Sequence, residues 1–223
     1  MLNILFAARP ARFPEYVGPL RTALANAGID AHLAMDIAPE EVDYIVYAPN
    51  SVVQDFAPYT RCKAVLSLWA GVEGIVGNTT LKLPLARMVD HGLTQGIVEW
   101  VAGHTLRHHL GMDLHIHGQD GIWRDYAPPL ASDRKVTVLG LGALGAACAG
   151  ALRDLGFDVT GWSRAPKEVP GIRCLNGAAG LVDALTGAEG LVLLLPATPE
   201  TDNLINAERL ALMAPGAFVI NPG

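Results

Sequence analysis

Residues 135–145 read Lys135-Val-Thr-Val-Leu139-Gly140-Leu-Gly142-Ala143-Leu144-Gly145. Val136, Val138 and Leu139 form a short β-branched and apolar run, the composition of a buried strand. The run enters three glycines spaced G-x-G-x-x-G, and an alanine-rich, proline-free segment from Ala143 to Leu155 follows with strong helical propensity. Strand, glycine turn and helix in that order are the context a dinucleotide-binding fingerprint requires. Gly140 permits the tight turn, Gly142 lets the backbone approach a pyrophosphate, and Gly145 lets the helix pack close to the strand. Free N–H groups and the dipole at the helix start, with Ala143 and Leu144 in its first turn, then favour a phosphate. A glycine-rich turn buried in a core would share the spacing, but its flanks would not need this order.

Working outward, the same unit begins near Asp133 and continues with strands at Val136–Leu139, Asp158–Trp162, Leu191–Leu195 and Ala217–Asn221. A site that prefers NAD carries an acidic residue about twenty positions beyond the glycines, on the ribose 2′-OH. Here the second strand ends in Trp162-Ser163-Arg164, with Lys167 nearby, and Asp158 lies at the strand's opposite end. A hydroxyl beside a guanidinium suits a 2′-phosphate, which a carboxylate would repel, so these residues favour NADP over NAD.

Upstream lies another α/β pattern. Strands are expected at Asn3–Ala8, Ile29–Ala34, Tyr44–Ala48 and Ala64–Trp69, with a helix over Glu15–Ala27 that ends at Gly28. Ala70-Gly71-Val72-Glu73-Gly74 follows as a loop whose backbone N–H groups could face a ligand. Leu93–Leu110 is a long helix with Thr94 as the expected N-cap, Gly111 as its stop, and Ile97, Trp100, Val101, His104 and His108 on one face. Asp113–Ser132, with Pro128-Pro129, reads as a linker. Alternating strands and helices imply parallel sheets covered on both faces. The expected organisation is therefore two doubly wound α/β domains, 1–92 and 133–223, joined by a helix and linker over 93–132, with a crevice between the halves.

With 51% hydrophobic residues in 223, the chain can bury one large or two modest cores. A net charge of −6 without a basic block argues against a nucleic-acid partner. The apolar start Met1-Leu-Asn-Ile-Leu-Phe is short and lacks a basic leader, and no apolar run approaches the roughly 18 residues of a membrane span. Cys62, Cys148 and Cys174 are widely spaced without C-x-x-C, which points to a reduced, cytoplasmic protein.

The glycine turn, Trp162-Ser163-Arg164 and the string Leu194-Leu195-Pro196-Ala197-Thr198-Pro199-Glu200-Thr201 together resemble the D-isomer-specific 2-hydroxyacid dehydrogenases, and within them the glyoxylate/hydroxypyruvate reductase A branch. Trp69–Ile75 resembles that family's substrate-carboxylate loop, and Met88-Val89-Asp90 through Glu99-Trp100 the entry to its interdomain helix. The resemblance spans the chain. It implies a flavodoxin-like substrate domain followed by a Rossmann domain, and hydride transfer between NADPH and the C2 carbonyl of a small 2-keto acid, glyoxylate or hydroxypyruvate. It also implies a homodimer contact through the 93–117 region. Substrate-site candidates are then Tyr47, Trp69, Ala70, Gly71 and Val72. Cofactor-site candidates, beside the turn and the Arg164 cluster, are Thr94, Leu195, Pro196, Thr201, Asn221 and Pro222, with Thr198 and Thr201 able to cap a following helix or donate to phosphate.

The chain departs from the pattern at its end. In the family a catalytic Arg follows the segment matching Ile220-Asn221-Pro222-Gly223, with Glu and His further on, so no catalytic residue is carried over. Either the chain is a piece of a longer polypeptide, with its second domain truncated, or it is a remnant that cannot turn over; an open strand edge favours the first. The rival to a reductase is a non-catalytic nucleotide-binding module on the same fold. His91 and Arg87 are the available substitutes for the missing groups, though a loop histidine and a surface ion pair are the plainer readings. His104 and His108 share a helical face, followed by His109, His115 and His117, but without H-E-x-x-H spacing or a nearby Cys no metal site is expected.

Overall fold

The computed structural model describes residues 1–222. They form two compact units that divide between Val89 and Asp90.

The first unit contains β1 (Leu2–Ala7), α1 (Phe13–Asn26), β2 (Ala31–Ala34), β3 (Tyr44–Tyr47), β4 (Ala64–Ser67), α2 (Glu73–Val76) and β5 (Leu85–Ala86). All five strands pair in parallel in the order β2-β1-β3-β4-β5, a flavodoxin-like arrangement. Side chains alternate across it. Leu5, Ala7, Ile45, Tyr47 and Val65 pack with Phe56 and Ile75 on one face, while Ile4, Phe6, Leu33 and Val46 pack on the other. α1 ends at Gly28, whose φ of +66° is the left-handed stop expected of glycine there. The two-residue β5 carries too little pattern to be seen in the sequence.

The second unit contains α3 (His91–His109), α4 (Met112–His117), β6 (Lys135–Leu139), α5 (Ala143–Asp154), β7 (Asp158–Ser163), β8 (Arg173–Asn176), α6 (Gly177–Leu185), β9 (Gly190–Leu193), α7 (Ala207–Leu210) and β10 (Phe218–Ile220). Its parallel sheet runs β10-β9-β6-β7-β8. The chain goes outward from β6 to one side and then returns to the other, the order of a dinucleotide-binding sheet.

Three local expectations change. α3 begins at His91, not Leu93, because the Asp90 side chain caps it by accepting from the Leu93 N–H at 3.0 Å. Thr94 is therefore one turn inside the helix, and its hydroxyl donates to the Asp90 carbonyl at 2.9 Å. The stretch expected as linker holds α4, which starts after Gly111 at φ +61° and is tied back by Arg107 to Asp113 at 2.6 Å. Finally, the fully buried row of α3 is Val101, Thr105 and His109. It lies one position along from the expected Trp100, His104 and His108, of which Trp100 is 43% exposed. Val101 and its neighbours Ile97, Val98 and Leu106 pack into the core that covers α5, so α3 folds with the second unit. Among the described residues no helix is long and apolar enough to cross a membrane.

Candidate functional site

The glycine turn after β6 is built from three different steric demands. Gly140 adopts φ +100°, and a Cβ there would strike the Leu194 carbonyl. Gly145 lies in the first turn of α5, where a Cβ would collide with the Gly140 carbonyl oxygen. Gly142 is different: its backbone is extended (φ −75°, ψ −168°) and a Cβ would meet nothing within 4 Å. The open space beside Gly142 is where the turn presents its backbone outward. α5 starts at that point without a side-chain cap, so the first-turn N–H groups and the dipole are left for an external acceptor.

β6 lies between β9 and β7, so the carboxyl ends of these strands meet at the point where the strand order reverses, the place where open α/β sheets bind ligands. The Gly140 turn abuts Leu194 and Leu195 at the end of β9, and Asn221 and Pro222 leave β10 at the same end. The following loop is braced internally. Thr201 donates its hydroxyl to the Pro196 carbonyl at 2.5 Å and accepts from the Thr198 N–H at 2.9 Å. Residues 199–205 form turns rather than the expected helix, so the Thr201 hydroxyl proton is committed within the loop. The next helix is α7, capped by Asn206, whose Oδ1 accepts from the Arg209 N–H at 3.0 Å. The sequence reading passed over Asn206 although Asn is a favoured N-cap.

At the end of β7 the three neighbours separate in role. Trp162 is 7% exposed and donates its indole N–H to the Gly177 carbonyl at 2.8 Å, so it packs the core. Ser163 is buried and donates its hydroxyl to the Ala165 carbonyl at 2.7 Å. Arg164 and Lys167 are exposed. The carboxyl of Glu200 is held below its usual range, first by a hydrogen bond to Thr198, then by its own backbone N–H, with the charge of Arg164 adding to the effect. Asp158 pairs with Lys135 while Trp162 pairs with Leu139 beside the turn, which places Asp158 roughly 16 Å of strand away from Ser163.

In the first unit, Ser67 braces the end of β4 by accepting from the Trp69 N–H at 3.1 Å and donating to the Trp69 carbonyl at 3.0 Å. Ala70 and Gly71 follow with N–H groups that have no acceptor among the described residues. Val72 flanks α2, and the Glu73 carboxylate stands 2.8 Å from where a Cβ on Gly71 would lie. Trp69 is 45% exposed. Tyr47, at the end of β3, is 1% exposed, with its ring edge-on to Phe56 and burial raising its phenol pKa.

The histidines diverge. His104 lies tilted against Trp100 with ring centres 4.1 Å apart, His108 stacks on Phe218 at 4.8 Å, and His109 accepts from Arg134 at 3.0 Å. His117 lies 3.8 Å from Asp113, and His115 is exposed. No group of three or more His, Cys, Asp or Glu among the described residues is placed to hold a metal. Arg87 is exposed after β5, and His91 is exposed at the first position of α3 rather than in a loop.

Residues 104–223 match the model of the D-isomer specific 2-hydroxyacid dehydrogenase NAD-binding domain. The chain belongs to the D-isomer specific 2-hydroxyacid dehydrogenases. Across 99% of its length this dehydrogenase is 31% identical to the glyoxylate/hydroxypyruvate reductase A of Serratia proteamaculans, of which it spans 72%. It superposes with TM-score 0.88 and 36% identity on a D-isomer specific 2-hydroxyacid dehydrogenase from Xanthobacter autotrophicus, solved with NADPH and MES; 98% of this chain and 71% of that one are covered. A second structure, the NADPH-dependent glyoxylate/hydroxypyruvate reductase of Sinorhizobium meliloti with NADP and sulfate, gives TM-score 0.78 and 31% identity over 100% of this chain and 73% of that one. The matched NAD-binding domain of this dehydrogenase contains the glycine turn, the end of β7 and the 194–201 loop.

Proposed function

We propose that this dehydrogenase takes part in reducing a small 2-keto acid, glyoxylate or hydroxypyruvate, to the D-2-hydroxy acid with NADPH. The observation that carries the reading is the open backbone at Gly142, flanked by the uncapped start of α5 and set at the reversal of strand order. In this reading the unit from Asp90 onward binds the nucleotide and Met1–Val89 the substrate. The first-turn N–H groups of α5, at Ala143, Leu144 and Gly145, would hold the diphosphate. Arg164 and Lys167, both exposed and with no carboxylate at the ribose position, would hold the 2′-phosphate. Leu195, Pro196, Asn221 and Pro222 would line the cofactor from the neighbouring strand ends, and the Ala70 and Gly71 N–H groups would hold the substrate carboxylate. The bound nucleotide supplies the hydride; the chain's own groups orient it and neutralise charge. Relatives bound to NADPH or NADP, and named as glyoxylate/hydroxypyruvate reductases, support this reading.

The exposed apolar side chains Leu114 and Ile116 support a homodimer through the 93–117 region. The cysteines, none in a disulfide, support a reducing compartment such as the cytoplasm.

The test is NADPH consumption by the full-length protein with glyoxylate or hydroxypyruvate. Turnover with NADPH that exceeds turnover with NADH is the expected result. Failure to oxidise NADPH with either acid overturns the reading.

A further inference from the structure

The carboxyl ends of β1, β3 and β4 enclose a crevice of about 240 Å³, bordered by Arg9, Arg12, Asn50 and Trp69. It stands at the reversal of strand order in the first sheet, since β2 lies on one side of β1 and β3 on the other, the position at which such sheets receive ligands. Four side chains around it carry donors: the guanidinium groups of Arg9 and Arg12, the Asn50 amide NH2 and the Trp69 indole N–H. The Arg9 side chain is exposed and has no hydrogen bond or ion pair among the described residues. The Asn50 amide and the Trp69 indole N–H likewise have no partner there. Arg12 is held at the rim by Glu15 at 3.0 Å, with its guanidinium 5.9 Å from the Tyr16 ring centre. That carboxylate neutralises Arg12, which leaves Arg9 as the uncompensated charge.

Trp69 joins this crevice directly to the Ala70-Gly71 N–H groups, which are one and two residues on. A single small molecule with two anionic groups is therefore the ligand that would engage both sets of donors. We propose that the crevice binds a second anionic group, paired with Arg9, so that beside glyoxylate and hydroxypyruvate this protein also accepts 2-keto acids that carry a distal carboxylate or phosphate. This rests on the reductase reading for the identity of the substrate, though not for the existence of the anion site.

Binding is tested on the 223-residue chain by NMR titration of the Trp69 indole and Asn50 amide signals with acetate, succinate and inorganic phosphate. Succinate is expected to bind at least about tenfold tighter than acetate, the size of one charge-assisted contact, and Arg9→Ala to remove that advantage. Arg21→Ala, on the exposed part of α1, serves as the charge control. Phosphate binding that depends on Arg9, without a succinate advantage, supports the site and selects phosphorylated acids. Equal affinity for acetate and succinate with no phosphate binding overturns the proposal, as does an Arg9→Ala chain that binds as before. The full-length protein separates the two readings. If it reduces glyoxylate and oxaloacetate but Arg9→Ala leaves the ratio of their kcat/KM values unchanged, the crevice fails and the reductase stands. If Arg9-dependent binding persists and no keto acid is reduced, the crevice stands and the reductase fails.

Discussion

Arg134 donates its Nε–H to Nδ1 of His109 across 3.0 Å, tying the last turn of α3 to the residue that leads into β6. The imidazole is 4% exposed and lies edge-on to Phe157, while Glu189 sits 3.6 Å from the other side of the guanidinium. An imidazole that accepts at Nδ1 from a cation must be unprotonated there.

Burial, and then the charge of Arg134, hold the His109 pKa below its ordinary value, with Glu189 opposing. The unfolded chain takes up the proton first, so this group's contribution to stability is complete above about pH 6.5 and declines as the pH falls below it. Thermal melting followed from pH 7.5 down to 5 should show a falling Tm in the wild type. His109→Gln, which keeps an acceptor and cannot titrate, should flatten that slope. An unchanged slope would remove His109 as its source.

Substitutions at two glycines of one turn should fail in different ways. Gly142→Val meets no protein atom and needs no positive φ, so it should leave the Tm within a few degrees while NADPH binding falls by at least about a hundredfold, as Cβ methyls occupy the approach to the turn. Gly145→Val collides with the Gly140 carbonyl and should destabilise the fold itself, by about 3 kcal/mol or more. Circular dichroism melts and cofactor fluorescence titrations distinguish the two; loss of folding in Gly142→Val would contradict the geometry.

Arg164→Asp should weaken NADPH by about tenfold to a hundredfold, the worth of a charge-assisted contact to phosphate, and NADH much less. Asp158→Asn, at the opposite end of the strand, should alter neither. Equal losses for the two nucleotides on Arg164→Asp would show that this side chain does not reach the 2′-phosphate.

Asn206→Ala removes the only side-chain cap of α7 and should cost about 1 kcal/mol in urea unfolding, with Asn206→Asp recovering most of it. A change within error for the alanine variant would mean that the packing of Leu204, Ile205 and Leu212 into the neighbouring core holds this helix without its cap.

How legible the molecule was depends on the kind of information each feature needs. The glycine turn is local: strand, G-x-G-x-x-G and alanine-rich helix are consecutive, and Gly140, Gly142 and Gly145 take three distinct steric roles in the folded chain. The start of α3 was misplaced by two residues because Asp90 and Thr94 are both acceptable caps, and only the backbone geometry selects Asp90. A strand's end says nothing of which face its last side chain takes, and only the fold sets Tyr47 beside Phe56. Ser163 and Thr201 each donate a hydroxyl proton to a carbonyl of its own loop, a contact that residue type alone does not reveal.

Hydrophobic spacing along the chain, with glycines and prolines marking the breaks, sufficed to determine two parallel α/β units and the nucleotide turn, because those signals act between residues close in sequence. The remainder waited on tertiary structure. The meeting of Arg9, Asn50 and Trp69 in one crevice, and of His109 with Arg134, joins residues tens of positions apart. Such juxtapositions follow from strand order and helix packing, and it is strand order that decides which loop ends share a sheet edge.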